Sequence, residues 1–116
     1  GEDVITYNAP HAIFFHSPEH SVYPQVTCDT ALYTVMLLAH AKGMGTCWNG
    51  WLMKAANGFK VKSFTKLREF LGFPDHHQVY SAATLGYRAV KLHSTPDRRT
   101  AVRVIGEPTR SRSARL

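Results

Sequence analysis

Nine of the eleven residues from Ala31 to Ala41 are apolar, with only Thr34 and His40 interrupting them. The run falls in a helix predicted over residues 25–42, and Gly43 is placed to stop it in the left-handed conformation. A surface helix keeps one polar face, so a helix hydrophobic nearly all round belongs in a core or at a subunit interface. The rest of the fold has to supply apolar cover for it. The segment after the helix is equally constraining. Gly43-Met44-Gly45-Thr46-Cys47-Trp48-Asn49-Gly50-Trp51 puts three glycines, a cysteine and two tryptophans into nine residues. Glycine lets another group approach the backbone closely, and tryptophan offers a broad flat surface with one polar N–H.

Other elements emerge from local pattern. Ala12-Ile13-Phe14-Phe15-His16, between Pro10 and Pro18, reads as a strand buried on both faces, with residues 17–24 as loop. Asn49 caps a short helix through Trp51-Leu52-Met53-Lys54-Ala55-Ala56, ended by Asn57-Gly58. Ser63 caps another, with Phe64, Leu67, Phe70 and Leu71 on one stripe and Gly72 and Pro74 terminating it. Residues 78–86 read as a strand of small side chains, against which a helix or ligand can sit closely. Residues 101–105 read as a last short strand. The order is strand, long helix, short helix, helix, strand, strand. This is an α+β composition whose few strands are thin for a complete domain, and they leave the central helix short of cover. The sheet looks incomplete.

With 116 residues the chain holds one domain at most. Residues 1–87 carry six Lys/Arg and six Asp/Glu, whereas residues 88–116 carry eight Lys/Arg against Asp97 and Glu107. The net charge of +6 thus reports a basic C-terminal segment on a neutral body, which argues against a nucleic-acid-binding face on the fold. Residues 106–116 lack the apolar side chains to fold alone and are expected to be disordered unless a partner holds them. No apolar stretch is long enough to span a membrane, and the N-terminus lacks the basic-then-apolar pattern of a leader. Gly1-Glu2-Asp3 fits either a remnant of cloning or a start partway through a longer chain. Cys28 and Cys47, without CxxC spacing, read as reduced thiols of a cytoplasmic protein.

Two readings of the glycine–tryptophan segment stand on local grounds. As a loop leading to a helix N-terminus, it suits a planar heteroaromatic ligand with acceptor atoms on its edge. As a tight helix–helix turn, its tryptophans are ordinary core packing. Cys47 by a helix N-terminus has a rival reading as a redox thiol, set behind that of a packed cysteine. His16, His20 and Cys28 do not make a metal site, because Pro18 prevents a helical pair and no second cysteine completes a tetrahedral set. His76-His77 reads as solvated loop. No metal is expected.

The helix ending in Gly-x-Gly-Thr-Cys-Trp-Asn-Gly resembles the flavin-contacting segment of the nitroreductase family of FMN-dependent oxidoreductases. Other stretches agree in order: Asn8-Ala9-Pro10 before a strand, Asp29-Thr30-Ala31 early in the long helix, Leu71-Gly72-Phe73-Pro74, and Leu85-Gly86-Tyr87 followed by Pro96-Asp97-Arg98-Arg99. Met53-Lys54-Ala55-Ala56-Asn57 is most similar to the branch often fused to a ferredoxin-like iron–sulfur region. The resemblance covers about residues 4–105, and it implies that residues 1–105 are the C-terminal part of such a domain. Its Arg-rich N-terminal phosphate anchor has no counterpart here.

The resemblance implies a homodimeric flavoprotein with FMN at the dimer interface, where the long helix packs on its symmetry mate. Electrons pass from a reduced nicotinamide or similar donor through flavin to a nitro, quinone or related small-molecule acceptor. Mapped by motif, Thr46, Cys47, Trp48, Asn49, Gly50 and Trp51 lie along the flavin ring, and Arg98 and Arg99 reach the FMN phosphate. No catalytic acid or nucleophile is implied. The competing class is a non-enzymatic interaction module with a basic C-terminal tail, retaining only part of the flavoprotein fold.

Overall fold

The structure, a computed structural model, describes residues 2–58, 62–91, 93–96 and 105–106. Its elements are β1 (His11–Pro18), α1 (Pro24–Ala41), β2 (Met44–Trp48), α2 (Gly50–Ala56), α3 (Lys62–Leu71) and β3 (His77–Tyr87). Among the described residues the strands form one antiparallel sheet in the order β1-β3-β2. The α+β expectation holds. The expected strand over 101–105 falls almost wholly outside the described residues, and Ile105 lies in a turn.

The third strand comes from the segment read as a loop. Residues 44–48 pair with β3 from Met44 opposite Tyr87 to Trp48 opposite Ala83. Glycine had pointed to a loop, but Gly45 lies opposite Gly86, and Thr46, Cys47 and Trp48 find a partner strand in register. Tertiary pairing overrides the local signal.

β3 runs down the middle. Ala82 and Ala83 are both fully buried, and successive strand residues point to opposite faces, so β3 is covered on both sides. Both α1 and α2 pack against it, as the small side chains had suggested. β1 pairs with β3 from His11 opposite Leu85 to Pro18 opposite His77, so Ser17 and Pro18 belong to the strand and not to a loop. Its register shifts between Phe15, opposite Ser81, and His16, opposite Val79. The shift leaves Tyr80 as the extra residue, and Gln25 of α1 donates its side-chain amide to the Tyr80 carbonyl at 2.8 Å. Burial of β1 on both faces is not realised. Ile13, Phe14 and Phe15 are half-buried, because β1 is a sheet edge.

α1 starts with Pro24 behind a left-handed Tyr23 (φ 56°), where a missing N–H costs nothing. It ends as expected: Lys42 donates its N–H to the Leu38 carbonyl at 3.1 Å, and Gly43 takes φ 79°. The helix is central, but the expected burial is confined to one stripe, Cys28, Leu32 and Ala39. On the opposite face Val26, Tyr33 and Leu37 are 61%, 58% and 54% exposed. A three-stranded sheet reaches one side only.

α3 carries its apolar stripe with one exception, since Phe70 is exposed. The side chain of Ser63, the expected cap, lies outside the described residues. Beyond Gly72 (φ 65°), His76 leads into β3, whose first residue is His77, so His77 is not part of a loop, and the two meet His20 and His16. Burial, together with the neighbouring imidazoles of His76, His16 and His20, holds His77 below the usual histidine value.

Candidate functional site

The chemistry-bearing segment spans β2 and the first turn of α2. Thr46, Cys47 and Trp48 sit on β2, Asn49 is the N-cap, and Gly50 and Trp51 open the helix. In the order β1-β3-β2, β2 is an edge, and no described strand pairs with its outer side. Alternate backbone N–H and C=O groups of such an edge point outward, ready to bond another group.

Asn49 fixes the junction. Its N–H donates to the Ala82 carbonyl at 2.9 Å, continuing the β2–β3 contact by one residue. Its Oδ1 accepts the Leu52 N–H at 2.9 Å, as expected of a cap. Its Nδ2 donates to the Ile5 carbonyl at 2.7 Å. The N–H groups of Gly50 and Trp51 have no acceptor within their own helix.

The indoles flank this junction. Trp48 and Trp51 are 44% and 63% exposed, so they are not core packing, and the tight-turn reading falls with the helix–helix loop. The Lys54 ammonium lies 5.2 Å from the Trp51 ring, within cation–π range. At Gly50 an added Cβ would meet nothing within 4 Å, so the surface beside the tryptophans is open. Cys47 is exposed and its Sγ–H contacts the Trp48 carbonyl at 3.6 Å.

One contribution was missed from sequence: the N-terminal segment. The Asp3 carboxylate accepts the N–H groups of Ile5, Thr6 and Asn8 at 3.0, 2.8 and 3.1 Å, and the Thr6 hydroxyl as well. These bonds, led by Thr6, hold its carboxyl well below the usual carboxylate range. The knot presents the Ile5 carbonyl to Asn49. Behind it Pro10 rests on Gly86, where a side chain would come within 3.1 Å of the Pro10 ring. The available signal was an Asp followed three residues on by Thr, a local turn-forming pattern.

Arg98 and Arg99 lie outside the described residues. Arg88, nearer the sheet, donates to the His40 carbonyl at 3.1 Å and to His40 Nδ1, tying the end of α1 to the end of β3. Among the described residues no three His, Cys, Asp or Glu side chains are placed to hold a metal ion, and no helix is long and apolar enough to cross a membrane.

Residues 1–87 match the sequence model of the nitroreductase family. This chain belongs to that family. Solved nitroreductases share the fold. One from Bacteroides fragilis, with bound FMN, is 23% identical, covers 86% of this chain and superposes with a TM-score of 0.69. One from Desulfitobacterium hafniense, also with bound FMN, is 25% identical over 86% of the chain, with a TM-score of 0.66. An FMN-dependent nitroreductase from Clostridium difficile is 19% identical over 90%, with a TM-score of 0.60. This nitroreductase chain spans only 54%, 53% and 61% of those three proteins. No curated protein sequence matches it.

Proposed function

We propose that this nitroreductase chain is part of an FMN-dependent oxidoreductase, and that its flavin lies along the outer edge of β2 and the start of α2. The observation that carries the reading is the junction itself: an open strand edge running into a helix start capped by Asn49, with two exposed indoles beside it. A flat heteroaromatic ring with donors and acceptors on its rim fits that set. The bound FMN of the Bacteroides and Desulfitobacterium relatives supports it.

When bound, FMN supplies the two-electron carrier between a reduced nicotinamide or similar donor and a nitro, quinone or related acceptor. The residues of this chain bind and orient. Backbone groups of Thr46, Cys47 and Trp48 offer hydrogen bonds along the ring, while the N–H groups of Gly50 and Trp51 favour negative charge on its edge. Trp48 and Trp51 would offer flat apolar surface against the ring. Arg98 and Arg99 are assigned to the phosphate, where a guanidinium fork suits it. No side chain is given a proton-transfer role.

The same reading takes residues 1–105 as the C-terminal part of the domain, residues 106–116 as a tail, and the active unit as a cytoplasmic homodimer. Val26, Tyr33 and Leu37 fall on one helical stripe and are exposed, and a second α1 would cover them. The visible absorption spectrum of the purified chain, with and without added FMN, tests the cofactor. A bound-flavin spectrum that survives removal of residues 107–116 supports it. A colourless protein that ignores FMN, or a partner lost with the tail, favours the interaction module instead.

A further inference from the structure

A second concentration of chemistry lies apart from the β2–α2 junction, where the end of β1, the turn after α3 and the start of β3 meet. His16 and His77 have ring centroids 5.0 Å apart and their Nδ1 atoms 2.9 Å apart. His76 stands edge-on to His77 at 4.7 Å, and His20 stacks beside His76 at 6.0 Å. Strand pairing sets the first separation, since His16 lies opposite Val79 and Pro18 opposite His77. The rings are held from behind. Phe73 stacks on His16 at 5.3 Å, and the Arg68 guanidinium lies 4.7 Å from the Phe73 ring. Arg68 also donates to the His77 and Asp75 carbonyls at 3.1 and 3.3 Å.

We propose that His16 and His77 form an open two-imidazole site for a divalent transition-metal ion, with Cu(II) first in order of fit. Metal–imidazole bonds are ~2.0–2.1 Å long, so two nitrogens at right angles on one ion stand ~2.9 Å apart, against ~3.3 Å on a tetrahedral ion. The 2.9 Å between the two Nδ1 atoms matches adjacent positions of a tetragonal ion, which Cu(II) and Ni(II) prefer, and imidazole affinity is highest for Cu(II). In the metal-free pair one Nδ1 carries the shared proton. On binding, that ring moves its proton to Nε2, both Nδ1 lone pairs turn to the ion, and no net proton is released. Water fills the remaining positions. The nearby Glu19 carboxylate accepts the Gln78 side-chain amide at 2.9 Å and is not needed as a ligand. The pair differs from the set weighed in sequence, because Cys28 is buried in α1 and His77 takes its place.

The test is a titration of CuCl2 into the full chain in a non-chelating buffer at about pH 7.5, where unperturbed imidazoles are neutral. One tight equivalent is expected, with an electron paramagnetic resonance spectrum coupled to two ring nitrogens. His16→Gln and His77→Gln should each weaken it at least about tenfold, since a two-point attachment becomes single, while His93→Gln leaves it unchanged. In the wild-type protein, substoichiometric Cu(II) should broaden the ring-proton NMR signals of His16 and His77 first, a readout that needs no variant. Copper spread over all the histidines, or both variants binding as tightly as wild type, overturns the site.

Discussion

The side chain of Asn57 pairs with the backbone of Val79 as a neighbouring strand would. Its Nδ2 donates to the Val79 carbonyl and its Oδ1 accepts the Val79 N–H, both at 2.8 Å. β2 reaches along β3 only from Tyr87 to Ala83, so Asn57 supplies the bonds that strand cannot. It also closes α2, with Gly58 following at φ 75°. Val79 is 2% exposed, and water does not readily replace a lost partner there. Asn57→Ala should therefore destabilise the chain by about 2–3 kcal/mol, two bonds lost and two buried groups left unpaired. Urea unfolding of the two proteins measures it. A cost below about 0.5 kcal/mol would mean that the pairing contributes little net stability.

Asn49 joins three segments, and its two side-chain bonds can be separated. Asn49→Ala removes both the Leu52 cap and the bond to Ile5, and should cost about 1–2 kcal/mol. Asn49→Asp keeps an acceptor for Leu52 but cannot donate to the Ile5 carbonyl. It should retain the helix and release the N-terminal knot, seen as faster amide exchange at Ile5 and Thr6. If both variants exchange like the wild type, the knot does not depend on Asn49.

Much of this was legible from sequence, and the rest failed for identifiable reasons. The cap at Asn49, the stops at Gly43 and Gly72, and the small-residue strand through Ala82 and Ala83 arise from chemistry local to each position. β2 was missed because its strand character comes from β3, some forty residues away, while its own glycines argue for a loop. Phe70 was misassigned because periodicity gives a stripe but not the width of its cover. The Asn57–Val79 and His16–His77 pairs depend on register, which no local pattern encodes. Of the candidate site, the stretch 46–51 was singled out by its residue types alone, and its place on an open strand edge was not.

The two cysteines should react very differently. Cys47 is exposed on β2, whereas Cys28 is 4% exposed, and burial with the adjacent Asp29 charge pushes its thiol up. Brief alkylation of the native chain should label Cys47 alone by mass spectrometry, with Cys28 reacting only on unfolding. If flavin lies along β2, saturating FMN should slow labelling of Cys47. Equal labelling of both thiols in the native protein would contradict the burial of Cys28.

Asp3 gives the chain an acid-sensitive end. Its folded-state value lies below the 3.8 of a free carboxyl, so the charged form is favoured by folding. Its contribution is therefore complete above pH 3.8 and is lost as pH falls through the depressed folded value. The amide shifts of Ile5, Thr6 and Asn8 should stay constant down through pH 3.8 and move only in stronger acid. Titration of those amides near pH 4, or an unchanged profile in Asp3→Asn, would show that the knot is not held by the carboxylate.

The exposed stripe of α1 makes the proposed homodimer testable without any ligand. Val26, Tyr33 and Leu37 recur at spacings of seven and four residues and lie opposite the buried Cys28, Leu32 and Ala39. Burying a leucine side chain is worth roughly 1.5–3 kcal/mol, and a symmetric interface counts each one twice. Leu37→Glu would place a charge from each copy at the interface, so it should turn a dimer into a monomer across a wide concentration range. Because Leu37 faces away from the sheet, far-ultraviolet circular dichroism should not change. Leu32→Glu, on the buried stripe, should instead unfold the chain. Sedimentation of the wild type and Leu37→Glu distinguishes the cases: a wild-type dimer dissociated by the variant supports the α1 interface, whereas a dimer that persists puts the interface elsewhere.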